Sequence, residues 1–383
     1  MKSCILLVNI IVLSFFCSCK YANKRLESRF IDLKAAIDLP NKRNIDDYCR
    51  DVSYIKLETS DSVLLRSPSY LFTPNTIVAY ESSSLYQFSY EGKFLNSYEK
   101  KGQGPMDLMG VNKVLWNSER EEIYVIDGAL GKILILDEKL NFLDCMHFRL
   151  PAYRFVVNDD YIYYGLYRND YRKLPLKAVG RFCILNGKNE MFYDSEFPYF
   201  STDMYPMFSF GTKLSNNDTI FYFRENRSDS IFSFTPNDST KRFAYKINVG
   251  NTYPPELDYN QNARSERKNY IIAGDCIFLD DLVFVSYFYK NSNIKTAVFH
   301  ENSGKTFCLE ESESNKIDGG LPIILIQKVQ GRKFYAGQII PSYHLTDDFI
   351  SRVKKNDTSG ELINILTRTT SEDNPILMFV ELK

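Results

Sequence analysis

Residues 121–145, EEIYVIDGALGKILILDEKLNFLDC, carry two apolar runs, IYVID and KILILD, with a short gap between them. Neither run alternates cleanly between apolar and polar. A strand with one face in water alternates with period two, whereas a strand covered on both faces reads as a continuous apolar run. Helices could cover a parallel sheet in that way, but they need amphipathic segments of roughly ten or more residues between strands. The gaps here are too short. The pattern therefore predicts strands sandwiched between other sheets.

The same pattern recurs. A polar turn followed by a β-branched or aromatic run appears at TPNTIVAYE (73–81), NSEREEIYVID (117–127), VNDDYIYYG (157–165), SNNDTIFYF (215–223), FLDDLVFVSY (278–287) and VQGRKFYAGQI (329–339). The first run residues are Ile77, Ile123, Ile162, Ile220, Val283 and Phe334, which are 46, 39, 58, 63 and 51 residues apart. A four-stranded propeller blade takes ~40–50 residues, with any excess in loops. Each repeat reads as four strands, A to D. In the second these are KVLWN, EIYVID, KILILD and FLDCMHF, and in the third RFVVN, YIYYGLY, GRFCIL and EMFYDSEF. The fourth reads FSFGTKL, TIFYF, SIFSF and KRFAYKI. Asn, Asp or Gly before each B strand suits a short hairpin.

The sixth repeat is incomplete. LPIILIQ and KFYAGQII supply strands A and B, a polar stretch at 342–373 predicts one or two helices, and NPILMFVELK ends the chain as strand C. No strand D remains, while RDVSYIKLET (50–59) stands unused near the N-terminus. The expected fold is therefore all-β: a six-bladed β-propeller whose last blade is closed by an N-terminal strand, with a short helical insertion in blade six. Such closure leaves no open sheet edge.

Composition agrees with β structure. The 383 residues include 27 Tyr and 28 Phe but one Trp, and aromatic rings favour pleated surfaces. Net charge is −1, so no basic excess draws a phosphate backbone, and nucleic acid is excluded as a partner. The N-terminus reads as a signal peptide over residues 1–18, with an apolar stretch from Ile5 to Phe16 too short for a comfortable membrane span. Ser18 before Cys19 fits a lipobox, so Cys19 is the expected lipidation site. Residues 19–44 are then a lipidated linker and 45–383 the propeller. Acyl chains contribute ~0.8 kcal/mol per buried CH₂, so two or three would anchor the chain stably to a membrane. The basic stretch KYANKRLES after Cys19 favours the periplasmic side of the cell envelope. The five later cysteines, Cys49, Cys145, Cys183, Cys276 and Cys308, are widely spaced and match neither a disulfide framework nor a zinc site. They read as buried thiols, although an oxidising periplasm would permit one disulfide.

The stretch YEKKGQGPMDLMGVNKVLWNSEREEIYVIDGALGKILILDEKLNFL (98–143) resembles the six-bladed β-propeller lipoproteins of gut and oral Gram-negative bacteria, relatives of the NHL-repeat propellers. The KGQGP turn leading into a blade is the most specific match, and DGGLP (318–322) is a second. The resemblance covers roughly residues 45–383. It implies a fold and a cellular address and little chemistry, since most members have no assigned activity.

Motifs of catalysis are scarce. Gly102-Gln103-Gly104 is followed at once by Pro105 and then a strand, which makes it a turn and no dinucleotide fingerprint. His147, His300 and His344 lie far apart and show no metal-ligand spacing. The pairs Asp159-Asp160 and Asp280-Asp281 sit in A–B turns, where Asp satisfies local N–H groups, and Asp347-Asp348 is a third such pair. There is no G-x-S-x-G elbow. Asp61-Ser62-Val63, Asp218-Thr219-Ile220 and Asp229-Ser230-Ile231 resemble a bacterial O-glycan acceptor triplet, a short and weak pattern. No catalytic or metal-ligating residue is assigned, and no cofactor.

Tyr and Arg gather instead in the D–A and B–C loops that line a propeller's mouth. Arg168, Tyr171 and Arg172 lie in the third repeat, Arg224 and Arg227 in the fourth, and Tyr259 and Arg264 in the connection after it. Tyr253, Arg267, Tyr199 and Tyr205 add to them. Tyr and Arg offer large contact area with a polar tip, as binding surfaces require. The expected function is a lipid-anchored, monomeric, non-enzymatic module whose arc of Arg168, Arg172, Arg224 and Arg227 takes an anionic protein, peptide or glycan ligand. Two alternatives stay open: a calcium-dependent lactonase or NHL-type lyase, and a structural subunit of an outer-membrane uptake complex.

Overall fold

A computed structural model of the chain describes residues 29–39, 42–148, 152–166, 177–194, 209–215, 218–224, 228–235, 238–251, 269–290, 294–310 and 312–383. The chain begins with β1 (Phe30–Asp32) and α1 (Leu33–Asp38), a 3-10 turn (Ile45–Tyr48) and β2 (Cys49–Lys56). Blade one is β3 (Ser69–Phe72), β4 (Thr76–Glu81), β5 (Ser84–Ser89) and β6 (Phe94–Tyr98). Blade two is β7 (Val111–Asn117), β8 (Glu122–Asp127), β9 (Lys132–Asp137) and β10 (Phe142–His147). Blade three is β11 (Ala152–Asn158), β12 (Tyr161–Leu166), β13 (Lys177–Cys183) and β14 (Asn189–Asp194). Blade four is β15 (Ser209–Ser215), β16 (Asp218–Arg224), β17 (Ser230–Thr235) and β18 (Asp238–Asn248), with β1 added in parallel outside β18. Blade five is β19 (Ile272–Leu279), β20 (Leu282–Phe288), β21 (Lys295–His300) and β22 (Lys305–Cys308). Blade six contains β23 (Gln327–Gln330) and β24 (Lys333–Ile339). Three helices follow, α2 (Pro341–His344), α3 (Asp347–Asn356) and α4 (Glu361–Leu366), and then β25 (Ile376–Leu382). Six small antiparallel sheets make this a six-bladed β-propeller. Two compact units share them: residues 1–43 and 196–309 hold blades four and five, and residues 44–195 and 310–383 hold the other four.

Blade two shows why alternation is lost. Ile123, Val125, Leu134 and Leu136 pack on one side with Leu71, Val78, Tyr80 and Leu85 of blade one. Tyr124, Ile126, Ile133 and Ile135 pack on the other with Ile162, Tyr164 and Phe182 of blade three. Both strands are therefore buried on both faces, at about 1.5–3 kcal/mol for each fully buried large side chain. The turns are built locally. Asn117 Oδ1 accepts from the N–H groups of Glu119 (3.2 Å) and Arg120 (3.3 Å), Asp127 Oδ1 from Leu130 (2.9 Å), and Asp137 Oδ1 from Lys139 (2.9 Å) and Asn141 (2.8 Å). The last residue of each strand thus closes the turn that follows it.

The last blade runs β2-β25-β24-β23, so the N-terminal strand takes the missing D position. Its register sets Val52 on Val380, Tyr54 on Met378 and Lys56 on Ile376. The Tyr54 hydroxyl donates to Asp318 Oδ2 at 2.6 Å, and Lys56 Nζ donates to Asp373 Oδ2 at 2.9 Å and to the Arg368 carbonyl at 2.8 Å. Three expectations need correction. The A strand of blade six begins only at Gln327; in the apolar run before it Ile324 and Ile326 are exposed, although the Ile326 N–H still donates to the Tyr335 carbonyl at 3.0 Å. The expected linker over residues 19–44 is folded in part. Phe30–Asp38 form β1 and α1, and Ile31, Leu33 and Ala36 are buried in the core of blades four and five. The polar stretch expected to hold one or two helices holds three short ones. Thr346 caps α3 by accepting from the Phe349 N–H at 3.2 Å, and Asp347 and Asp348 occupy its first turn, where the helix dipole favours negative charge. No helix among the described residues is long and apolar enough to cross a membrane.

Candidate functional site

The KGQGP turn has a structural role. Gly104 donates its N–H to Asp107 Oδ2 at 2.8 Å, and Lys132 Nζ donates to the carbonyls of Gly104 (2.8 Å) and Pro105 (3.0 Å). A Cβ on Gly102 would lie 2.4 Å from the Asp107 carboxylate, so the glycine is needed for close approach. The neighbouring Asp127 is fully buried and accepts from the N–H of Met109 at 2.7 Å. In DGGLP, Asp318 Oδ1 accepts from the Gly320 N–H at 2.7 Å while its other oxygen holds Tyr54. Two of the paired aspartates are held by side chains. Asp160 bridges to Arg120 at 2.5 Å, and Asp281 accepts from Asn302 at 2.9 Å. Among the described residues no group of three His, Cys, Asp or Glu is placed to hold a metal ion. None of the five described cysteines is in a disulfide. His147 and His300 lie on β10 and β21, and burial lowers the His300 pKa.

Of the expected binding residues, Arg168, Tyr171, Arg172, Arg227, Tyr259 and Arg264 lie outside the described residues, as do Tyr199, Tyr205, Tyr253 and Arg267. Arg224 is described, and its place corrects the expectation. It is 1% exposed. Its Nη2 donates to the carbonyls of Ala273 (2.6 Å) and Gly274 (2.7 Å), and its Nη1 to that of Ser228 (3.0 Å). The cause lies in the next blade. β19 bulges between Ala273 and Cys276, which takes carbonyls out of the ladder, and the guanidinium satisfies them. A side chain so buried is out of reach of a soluble anion.

A different pair of cations emerges. β7 lies beside β11, so the A strands of blades two and three are neighbours. Both are bulged near their start: β7 between Val111 and Lys113, and β11 between Tyr153 and Phe155. A bulge leaves one residue unpaired and re-aims its side chain. In β11 that residue is Arg154, exposed and held at φ +53, a conformation uncommon for a side-chain-bearing residue. In β7 it is Asn112, whose Oδ1 accepts from the Gly128 N–H at 3.1 Å and ties the bulge to the B–C turn. A Cβ on Gly128 would meet Asn112 at 2.6 Å, which explains the glycine.

Lys113 follows this bulge. It is half-buried and has no hydrogen bond or ion pair among the described residues. Burial, and then the charge of Arg154, hold its pKa below the ordinary lysine value, and no carboxylate among the described residues offsets them. Leaving a cation partly desolvated beside a like charge is costly unless an anion completes the site. The pair can hold a carboxylate or another small anionic group. One sequence signal marked it: in VNKVLWN and AYRFVVN, both ending in Asn, a cation stands four places before the end in an otherwise apolar strand.

The sequence profile of DUF4934, a domain of unknown function, matches residues 28–381. No curated protein matches the chain. Among solved structures, a Bacteroides fragilis protein described as exported, BF0058, superposes with a TM-score of 0.68 at 17% identity, over 92% of this chain and 99% of that one. A member of the DUF4221 family from Bacteroides vulgatus superposes with a TM-score of 0.52 at 11% identity, over 88% of this chain and 97% of that one. At these identities the likeness is one of fold.

Proposed function

We propose that this chain, which belongs to the DUF4934 family, is a lipid-anchored propeller of the cell envelope that binds an anionic ligand at Lys113 and Arg154. The observation that carries the reading is Lys113, a half-buried cation with no partner among the described residues, next to a second cation on a neighbouring bulged strand. The leader and Cys19 support the address, as does the exported description of the Bacteroides fragilis neighbour. The ligand chemistry is a carboxylate, supplied by an acidic peptide or an acidic glycan. Both the backbone bulges and the glycine turn behind Asn112 are set by the fold, so the site is preorganised and ligand binding orders little else.

Calorimetry with a polyglutamate peptide and, separately, with a polygalacturonate oligomer tests this and distinguishes the two sources. One of them should bind in a salt-sensitive manner, and Lys113→Met or Arg154→Gln should weaken it about tenfold or more, the scale of ~1.4 kcal/mol. If neither probe binds, or if both variants bind like the wild type, the site is not there.

A further inference from the structure

From the outer edge of blade four we infer that this edge, formed by β1 and β18, is the surface that lies against the membrane. The inference rests on the lipid anchor at Cys19 proposed above. Only nine residues lie between Cys19 and Arg29, where the described chain begins, so the acylated residue can sit at most ~35 Å away, at about 3.3–3.6 Å per residue step. The chain is then fastened at once. β1 pairs in parallel with β18, and α1 buries Leu33 and Ala36. A bilayer holding the lipid therefore holds this edge near its surface.

The edge has the composition that a headgroup layer takes. Parallel register sets Phe30 beside Lys246 on the outward side, while Ile31 and Ile247 point inward and are buried. A bulge in β18 pairs Ile231 with Tyr245 and Phe232 with Phe243, leaving Ala244 as the extra residue. That shift turns Phe243 to the same side as Lys246 and Phe30. Phe30 and Phe243 are 38% and 41% exposed, a large fraction for phenylalanine when most other rings among the described residues are packed. Arg29 Nη1 donates to the Phe243 carbonyl at 3.5 Å, which brings its charge to the ring, and Arg242 is exposed beside it. Lys246 shares its charge with Asp229 at 3.3 Å, so Arg29 supplies most of the attraction on this side. Exposed aromatics flanked by basic side chains bind an interface through apolar burial and attraction to anionic lipid.

The test uses the chain from residue 20 onward, which lacks the lipid, in sedimentation with vesicles. Phosphatidylglycerol–phosphatidylcholine vesicles should carry it down in a salt-sensitive way, and pure phosphatidylcholine vesicles much less. Arg29→Gln should weaken binding about fivefold, the scale for one basic side chain near an anionic surface. Phe30→Ser with Phe243→Ser should abolish it, with an unchanged melting temperature showing that the fold is intact. Lys113→Met should bind vesicles like the wild type, which separates this surface from the ligand site. If the wild-type chain ignores phosphatidylglycerol, or if the Phe and Arg variants sediment as it does, the edge is not a membrane surface. The calorimetric result at Lys113 is independent of either outcome.

Discussion

Replacing Arg224 should injure stability far more than a surface arginine would. In Arg224→Ala three carbonyl groups lose a charged donor: Ser228 at 3.0 Å, Ala273 at 2.6 Å and Gly274 at 2.7 Å. Hydrogen bonds to a charged group contribute ~1.5–3 kcal/mol each, so the gross loss is about 4.5–9 kcal/mol. Against it stands the release of a buried guanidinium, which costs several kcal/mol to desolvate. The carbonyls it leaves are poorly reached by water, since the side chain that covers them is 1% exposed. The balance resembles breaking any buried charged network from one side, about 3–5 kcal/mol. Urea unfolding followed by fluorescence reads it as a lowered midpoint. Arg224→Met fills most of the volume and should recover only the cavity part of the loss. Arg224→Lys keeps a charge without the fork and should fall between. A change within about 0.5 kcal/mol for Arg224→Ala, the range of ordinary surface sites, would refute the assignment of a structural role.

Lys113→Met should raise the melting temperature while weakening anion binding, because it removes a partly buried cation with no partner among the described residues. The sign also follows from linkage: a lysine whose folded pKa is depressed makes the unliganded fold gain stability as pH rises through that value, and the variant should lose this gain in alkaline unfolding. Leu57→Ala, at a fully buried position beside Ile77, Phe88 and Phe379, should cost about 2–5 kcal/mol, and deleting residues 45–60 should abolish the single cooperative transition of blade six. A deletion that melts like the parent would show β2 to be dispensable. Burial pushes Asp373 up, but hydrogen bonds from the Thr370 N–H and from Lys56 prevail and hold it below its ordinary value. Its contribution to stability is thus present above about pH 4 and lost as the pH falls further, and Lys56→Met should flatten that acid limb of the unfolding curve. Cys19→Ala should move the mature chain from the detergent to the aqueous phase in Triton X-114 partition, and a parent that is already aqueous would remove the anchor.

The blades themselves were written in the order of residues. A run such as IYVID loses its alternation because both of its faces are covered, and that is visible without coordinates. So was the pairing of 50–59 with the C-terminal strand, since an apolar segment without a partner and a blade without a fourth strand imply each other. The turns were equally legible, because Asn, Asp and Gly act on N–H groups within a few residues. What the chain could not announce is which charges are consumed. Arg224 and Lys113 are both cations at strand ends. One is buried because a bulge in a blade some fifty residues away leaves carbonyls open to it, and the other, after a bulge in its own strand, sits beside Arg154 with no partner among the described residues. β1 is a similar case: three residues have no strand signature, and only the free edge of β18 makes them one. Local pattern determines an element because the interactions that form it are near in sequence. The fate of a side chain depends on partners brought together by folding, and those only the tertiary structure decides.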